Sequence, residues 1–127
     1  MMKQKTTEDY LKAVLKISNR QGSVRRVDIA DELGVAKPTV TRTIRVLTEN
    51  GFVKPSDDNL VELTEKGMSA AQQTIEKYNT FYLILTSLGV EQKTAERDAC
   101  KLEHDVSDAS YRAILKIKQL FTREGTQ

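Results

Sequence analysis

A thiol, a carboxylate and an imidazole lie close together in the sequence at Cys100, Glu103 and His104. On a helix these positions are spaced i, i+3 and i+4, so the three side chains share one side and can bind one metal ion. A thiolate with an imidazole and a carboxylate suits Fe(II), Co(II), Ni(II) or Zn(II) better than Mn(II), which prefers oxygen ligands. The same spacing is compatible with a buried cysteine beside a surface glutamate and histidine. Spacing alone leaves both interpretations open.

The cysteine and histidine do not indicate an enzyme. Four residues apart on one helix, they have no evident third group to orient the imidazole and no oxyanion donor. The chain also has no glycine-rich phosphate loop, and its single cysteine cannot form an internal disulfide. We therefore predict no catalytic residues and no enzymatic activity.

A second set of side chains carries hydroxyl and positively charged groups. Between residues 36 and 47 all charged residues are positive, whereas the chain from Met68 onward carries bases and acids in equal number. The net charge of +2 is too small to indicate nucleic-acid binding by itself. The local excess, however, can contact phosphates and base edges of duplex DNA. The predicted DNA-binding residues are Lys37, Thr39, Thr41, Arg42 and Arg45.

These residues fall on the second helix of a predicted helix-turn-helix. The first helix of the motif covers residues 27–33, and the second begins near Pro38 and continues to about residue 50. The second helix has one apolar side, which leaves the basic residues on its other sides. That apolar side consists of Val40, Ile44 and Leu47.

Further elements precede and follow this motif. A first helix is predicted to run from an N-cap at Thr6 or Thr7 to about Arg20. After the motif, short strands at residues 52–54 and 60–63 enclose a turn and form a small β-wing.

The remainder of the chain is predicted to be helical. Thr64 caps a long helix that ends near Leu88, and two shorter helices cover residues 91–105 and the stretch after Asp108. Residues 81–85 of the long helix are apolar nearly all round, so a second subunit is expected to cover them.

The predicted fold class is therefore mainly α, with an N-terminal winged helix-turn-helix and small β-wing followed by an all-helical dimerisation domain. We expect a DNA-binding domain at residues 1–67 and a dimerisation and possible metal-binding domain at residues 68–127. No apolar stretch approaches the length needed to span a bilayer, and the polar N-terminus lacks a secretory signal. A cytoplasmic location without membrane association is expected.

Two classes of function fit a winged helix-turn-helix. A transcriptional regulator binds duplex DNA with an affinity that falls steeply with salt, whereas a protein-interaction winged helix shows no such affinity. The turn, the proline, the positive helix and the wing together favour DNA.

Several motifs, in their order, resemble the iron- and manganese-dependent repressors, the diphtheria toxin repressor and manganese transport regulator family. The motifs cover nearly the whole chain. The resemblance implies a metal-dependent repressor that acts as a homodimer on a palindromic operator, in a compact form without an SH3-like domain. The motifs are residues 6–11 (TTEDYL), 27–30 (VDIA), 63–67 (LTEKG) and 100–108 (CKLEHDVSD).

The resemblance also implies a ligand set of Asp9, Cys100, Glu103 and His104 for one divalent ion. Manganese-type members have a carboxylate at Lys12 and a histidine at Tyr78, and iron-type members use the positions of Tyr78 and Tyr82 for a second metal site. We therefore expect one site, for Fe, Zn, Co, Ni or Mn, and no second site. A member that no longer senses metal, with the Lys12 ammonium in place of the ion, remains the alternative.

Overall fold

The computed structural model describes residues 2–56 and 59–125. The chain forms two compact units, and the boundary between them in the sequence lies between Gln72 and Gln73. None of the helices in the described residues combines the length and the hydropathy of a membrane span. The predicted mainly α fold with a small β-wing is confirmed. Its elements are α1 (Gln4–Gln21), α2 (Arg26–Leu33), α3 (Lys37–Glu49), β1 (Val53–Pro55), β2 (Val61–Leu63), α4 (Glu65–Ser87), α5 (Gln92–Asp105) and α6 (Asp108–Gly125).

The core of the first unit is built from the apolar sides of α1, α2 and α3. The apolar residues of each helix recur every three or four positions, so each helix has one face to bury. Removal of these side chains from water is the main favourable contribution to folding of the unit. The buried residues include Leu11, Val14, Ile17, Ile29, Val40, Ile44 and Leu47.

The start of α1 differs from the prediction. The helix begins at Gln4, with Lys3 as its N-cap residue and no side-chain cap bond, so the predicted N-cap at Thr6 or Thr7 is wrong. The Thr7 hydroxyl instead donates to the Lys3 carbonyl oxygen at 3.4 Å, from inside the first turn. The strong helix-forming tendency of glutamine and lysine explains why the helix extends beyond the threonines.

The wing is an antiparallel pair in which Val53 lies opposite Leu63 and Pro55 opposite Val61. Each strand begins one residue later than predicted. The Val61 N–H donates to the Val24 carbonyl oxygen at 2.8 Å, which attaches the returning strand to the segment before α2. Of the predicted turn at its tip, residues 57 and 58 lie outside the described residues.

The second unit packs the later part of α4 against α5 and α6. Phe81, Ala99 and Tyr111 form its buried cluster, and the Tyr111 and Thr80 hydroxyls form a buried hydrogen bond of 3.0 Å. Apolar side chains nevertheless remain exposed on this unit, with Leu88 67% and Leu120 59% exposed. Exposed apolar side chains of this size are suited to a subunit interface.

Candidate metal ligands and DNA-binding surface

The helix α3 presents most of the predicted DNA-binding residues to solvent. Pro38 lies in its first turn, where a missing N–H costs nothing, and its apolar side faces the core. Thr39 is half-buried and accepts a hydrogen bond of 3.4 Å from the Arg42 guanidinium. The exposed members of the predicted set are Lys37, Thr41, Arg42 and Arg45.

A cleft of about 510 Å³ adjoins the start of α3. Lys37 and Thr41 line it from α3, Arg25 and Arg26 from the start of α2, and Asn59 from the wing. These two arginines are not among the DNA-binding residues predicted from the sequence. The sequence feature that could have identified them is the adjacent pair Arg25-Arg26, directly before the predicted first helix of the motif.

The two arginines differ in how they are held. The Arg25 guanidinium donates to both Asp28 carboxylate oxygens, at 3.2 and 3.1 Å, and this contact holds the pKa of the Asp28 carboxyl below its ordinary value. Arg26 makes a long contact of 3.5 Å to the Asn59 carbonyl oxygen. The cleft therefore combines a guanidinium already paired with a carboxylate and one bound only weakly to backbone, beside a lysine. Such a group of donors can bind a phosphate.

On α5 the buried face runs through Ala95, Ala99 and Glu103, which are spaced by four residues. Glu103 is 1% exposed, and its Oε1 lies 3.4 Å from Nε2 of His104, whose side chain is also buried. Burial of a carboxylate is costly unless a positive charge compensates it. A buried carboxylate beside an imidazole is a donor pair that fits a divalent metal ion.

Cys100 follows Ala99 and is therefore rotated away from the buried face, and its thiol is exposed. The alternative interpretation of the spacing, a buried cysteine beside a surface glutamate and histidine, is therefore wrong, because the glutamate is buried and the cysteine is exposed. Tyr78 lies close to this part of α5. The pKa of the Tyr78 phenol is raised, mainly by burial of the side chain and to a smaller extent by negative charge at Glu96 and Cys100.

Asp9, the remaining predicted ligand, belongs to α1 of the first unit. It is half-buried, and its Oδ2 accepts a hydrogen bond of 2.8 Å from Lys5 Nζ one turn earlier. Lys12 follows on the same helix and is half-buried too. In the second unit, Glu103 and His104 are in contact with each other and Cys100 lies one helical turn before them. As a ligand set, these residues remain a prediction.

A winged helix-turn-helix with an exposed positive helix, followed by a helical unit with exposed apolar residues, is typical of a DNA-binding transcriptional regulator. Comparison with known proteins gives the family. Residues 2–59 match the iron dependent repressor, N-terminal DNA binding domain, and residues 64–123 match the iron dependent repressor, metal binding and dimerisation domain. The chain belongs to the iron-dependent repressor family, as the motif resemblance predicted.

Similar proteins support this assignment. The transcriptional regulator MntR of Salmonella typhimurium is 34% identical over 88% of this chain and 71% of that protein. An uncharacterized HTH-type transcriptional regulator, MJ0568 of Methanocaldococcus jannaschii, is 34% identical over 80% of this chain and 82% of its own length. A solved manganese-dependent transcriptional repressor complex with manganese is 30% identical, with a TM-score of 0.78 over 89% of this chain and 52% of that one.

The family membership confirms the predicted class of function. The chain belongs to a family of metal-dependent transcriptional repressors, with an N-terminal DNA-binding domain and a C-terminal metal-binding and dimerisation domain. Its cofactor is a metal ion whose identity the residues present leave open among the divalent transition metals.

Proposed function

We propose that Asp9, Cys100, Glu103 and His104 bind one divalent metal ion and that metal binding favours the DNA-binding state of the homodimer. The burial of Glu103 beside His104, one turn from the Cys100 thiol, carries this proposal. A divalent ion bound there would place positive charge beside this buried carboxylate. Thiol and imidazole donors favour Fe(II), Co(II), Ni(II) or Zn(II) over Mn(II).

A metal can act as a co-repressor only if it binds the DNA-competent state more tightly than the other state. The ligands proposed here come from α1 of the DNA-binding unit and α5 of the helical unit. An ion that needs donors from both units binds best when the two units are held in one arrangement. The proposed role of the four side chains is to make that arrangement conditional on metal.

In the DNA-binding unit, we propose that α3 enters the major groove and that Lys37, Thr39, Thr41, Arg42 and Arg45 contact DNA there. A two-fold dimer presents two such helices, so the operator is expected to be palindromic. Arg26 and Lys37 in the cleft beside α3 are proposed to bind backbone phosphate, which fixes the protein on the duplex without reading sequence.

We place the regulator in the cytoplasm, where its DNA is, and assign it no enzymatic activity. The proposed boundary between the DNA-binding domain, residues 1–67, and the dimerisation and metal-binding domain, residues 68–127, follows the exit from the wing.

A second candidate function is metal-independent regulation by the same DNA-binding unit. The ion pair of 2.8 Å between Lys5 and Asp9 favours it, because Asp9 already has a positive partner. The pair is solvent-exposed on its lysine side, with Lys5 66% exposed, so a divalent ion can compete with it at modest cost.

The test is DNA binding by metal-stripped protein. Binding to genomic promoter fragments is measured with chelator and then with Fe(II), Mn(II), Co(II) or Zn(II), at two salt concentrations. Wild-type protein is compared with Cys100→Ala and His104→Ala, and Asp105→Ala serves as the control because Asp105 is an exposed acid on the same helix.

Metal-dependent binding that Cys100→Ala and His104→Ala abolish, and that Asp105→Ala retains, is the expected result. Salt-sensitive binding that is equal with and without metal supports the metal-independent regulator instead. Absence of binding under every condition contradicts both candidates.

A further inference from the structure

The exit of α3 is joined to the first turn of α4 by a dense set of contacts, here called the α3–α4 junction and comprising residues 50–52 and 64–67. The Thr64 N–H donates to the Phe52 carbonyl oxygen at 3.0 Å. The Thr64 hydroxyl donates to the Gly51 carbonyl oxygen at 2.6 Å and accepts from the Gly67 N–H at 3.1 Å. Thr64 therefore caps α4 and at the same time binds the backbone that leaves α3.

Lys66 adds a charged contact to this junction. Its Nζ donates to the Asn50 carbonyl oxygen at 2.9 Å and lies 4.4 Å from the centre of the Phe52 ring. Asn50 is the C-cap residue of α3, where helix carbonyls lack partners and the helix dipole is negative. An ammonium at this point neutralises the negative end of α3 and attracts the aromatic face beside it.

The backbones approach closely at the same place. A Cβ atom on Gly67 would overlap the Phe52 carbonyl oxygen, so there is room only for a glycine. The first turn of α4 is thus fixed against the end of α3 by hydrogen bonds, by charge and by direct packing.

The helix α4 begins in the first unit and continues without a break to Ser87 in the second. A metal bound by residues of α1 and α5 can alter α3 only through contacts that connect α3 to the rest of the chain. The junction connects the end of α3 to the element that passes from one unit to the other.

We propose that Lys66 is a positioning residue that fixes α3 to α4 and thereby makes DNA binding responsive to metal; this inference rests on the proposed metal response. Lys66 acts through the end of α3, by the contacts to Asn50 and Phe52. Loss of the ammonium leaves the Thr64 and Gly67 contacts but loosens the orientation of α3 relative to α4, so metal binding selects the DNA-competent orientation less strongly.

The test compares the increase in DNA affinity on metal binding between wild type and Lys66→Met, which keeps an apolar stem but loses the charge and donors. Duplexes are first selected from a random library with Co(II)-loaded wild-type protein. Dissociation constants are then measured by fluorescence anisotropy with chelator and with saturating Co(II). Lys93→Met, at an exposed lysine of α5, controls for loss of one positive charge.

For Lys66→Met, the ratio of DNA affinities with and without Co(II) is expected to fall about fivefold, whereas Lys93→Met keeps the wild-type ratio. The Co(II) affinity of the DNA-free protein, read from visible absorption, is expected to stay unchanged in both variants. Lys66→Arg, which retains a cationic donor, is expected to restore the ratio. Lys66→Leu, which also lacks the charge and the donors, provides the same comparison if Lys66→Met does not fold.

A ratio that is unchanged in Lys66→Met overturns the inference, including the case in which DNA affinity falls equally with and without Co(II). That case would show a merely structural contribution of Lys66. If wild-type protein binds DNA equally with and without Co(II), the proposed metal response itself fails and the inference fails with it. A wild-type response that survives in Lys66→Met refutes the junction alone.

Discussion

Substitution of Gly67 by alanine is expected to destabilise the protein strongly, although helix propensity predicts the opposite. Gly67 lies in the first turn of α4, and glycine to alanine in a helix is ordinarily favourable by about 1 kcal/mol. An added Cβ would overlap the Phe52 carbonyl oxygen and lie 3.0 Å from the Phe52 carbonyl carbon and 3.2 Å from Leu63 Cδ2. Because backbone atoms cannot rotate away as a flexible side chain can, α4 must move relative to Phe52.

The magnitude follows from the contacts that this movement strains. Overpacking of a buried position costs about 1–3 kcal/mol. Displacement of α4 also weakens the hydrogen bonds from Thr64 N–H to Phe52 and from Gly67 N–H to Thr64, each contributing about 1 kcal/mol. With the propensity gain subtracted, Gly67→Ala is expected to lower the free energy of unfolding by about 3 kcal/mol.

The assay is urea denaturation followed by circular dichroism at matched protein concentration, because a dimer's stability depends on concentration. Gly89→Ala is the control. Gly89 has φ of +95° but no atom within 4 Å of an added Cβ, so its substitution costs only backbone strain, about 1–2 kcal/mol. If Gly67→Ala proves as stable as wild type, or more stable, the close approach of α4 to Phe52 is refuted.

Further predictions concern a salt bridge, a buried hydrogen bond and a phosphate contact. The contact from Arg25 lowers the pKa of Asp28 in the folded state, so its stabilisation is present above the unfolded pKa of about 4 and is lost as pH falls through the lower folded value. Asp28→Asn should therefore lower the melting temperature at pH 7 but have little effect near pH 2, and an effect that is constant across this range would contradict the assignment. Tyr111→Phe should lower the unfolding free energy by about 1–2 kcal/mol in urea denaturation, because the buried Thr80 hydroxyl loses its partner at 3.0 Å. The double variant with Thr80→Val should recover part of this loss, and strict additivity would argue against the bond. Arg26→Ala should reduce the slope of log affinity for DNA against log salt by about 0.9, and an unchanged slope would exclude a phosphate contact at Arg26.

Local patterns were sufficient to predict the helices and the wing. The apolar spacing of Val40, Ile44 and Leu47 identified the buried side of α3. Gly34, whose backbone adopts the left-handed conformation common at helix ends, terminates α2. The N-cap at Thr6 or Thr7 was misplaced because cap residues also occur within a first turn, where only the backbone hydrogen bonds distinguish them.

The motif resemblance predicted the family and its domain order, which the comparisons confirm. The candidate metal ligands and DNA contacts remain predictions. Within α5, the sequence indicated three donors on one side but not which of them is buried. The buried face of α5 could have been found from Ala95 and Ala99, because small apolar residues four positions apart lie on one side of a helix and Glu103 continues that spacing.

Helical periodicity and turn residues act over a few positions, so the elements could be predicted from local patterns, and the order of the motifs along the chain was enough to predict the family. Only the tertiary structure placed Arg26 beside Asn59, 33 residues further along the chain, and Lys66 against Asn50. It alone showed that Gly67 leaves room for the Phe52 carbonyl. Such contacts depend on how distant segments pack, and the energy that decides packing comes from burial of surfaces that no local pattern contains.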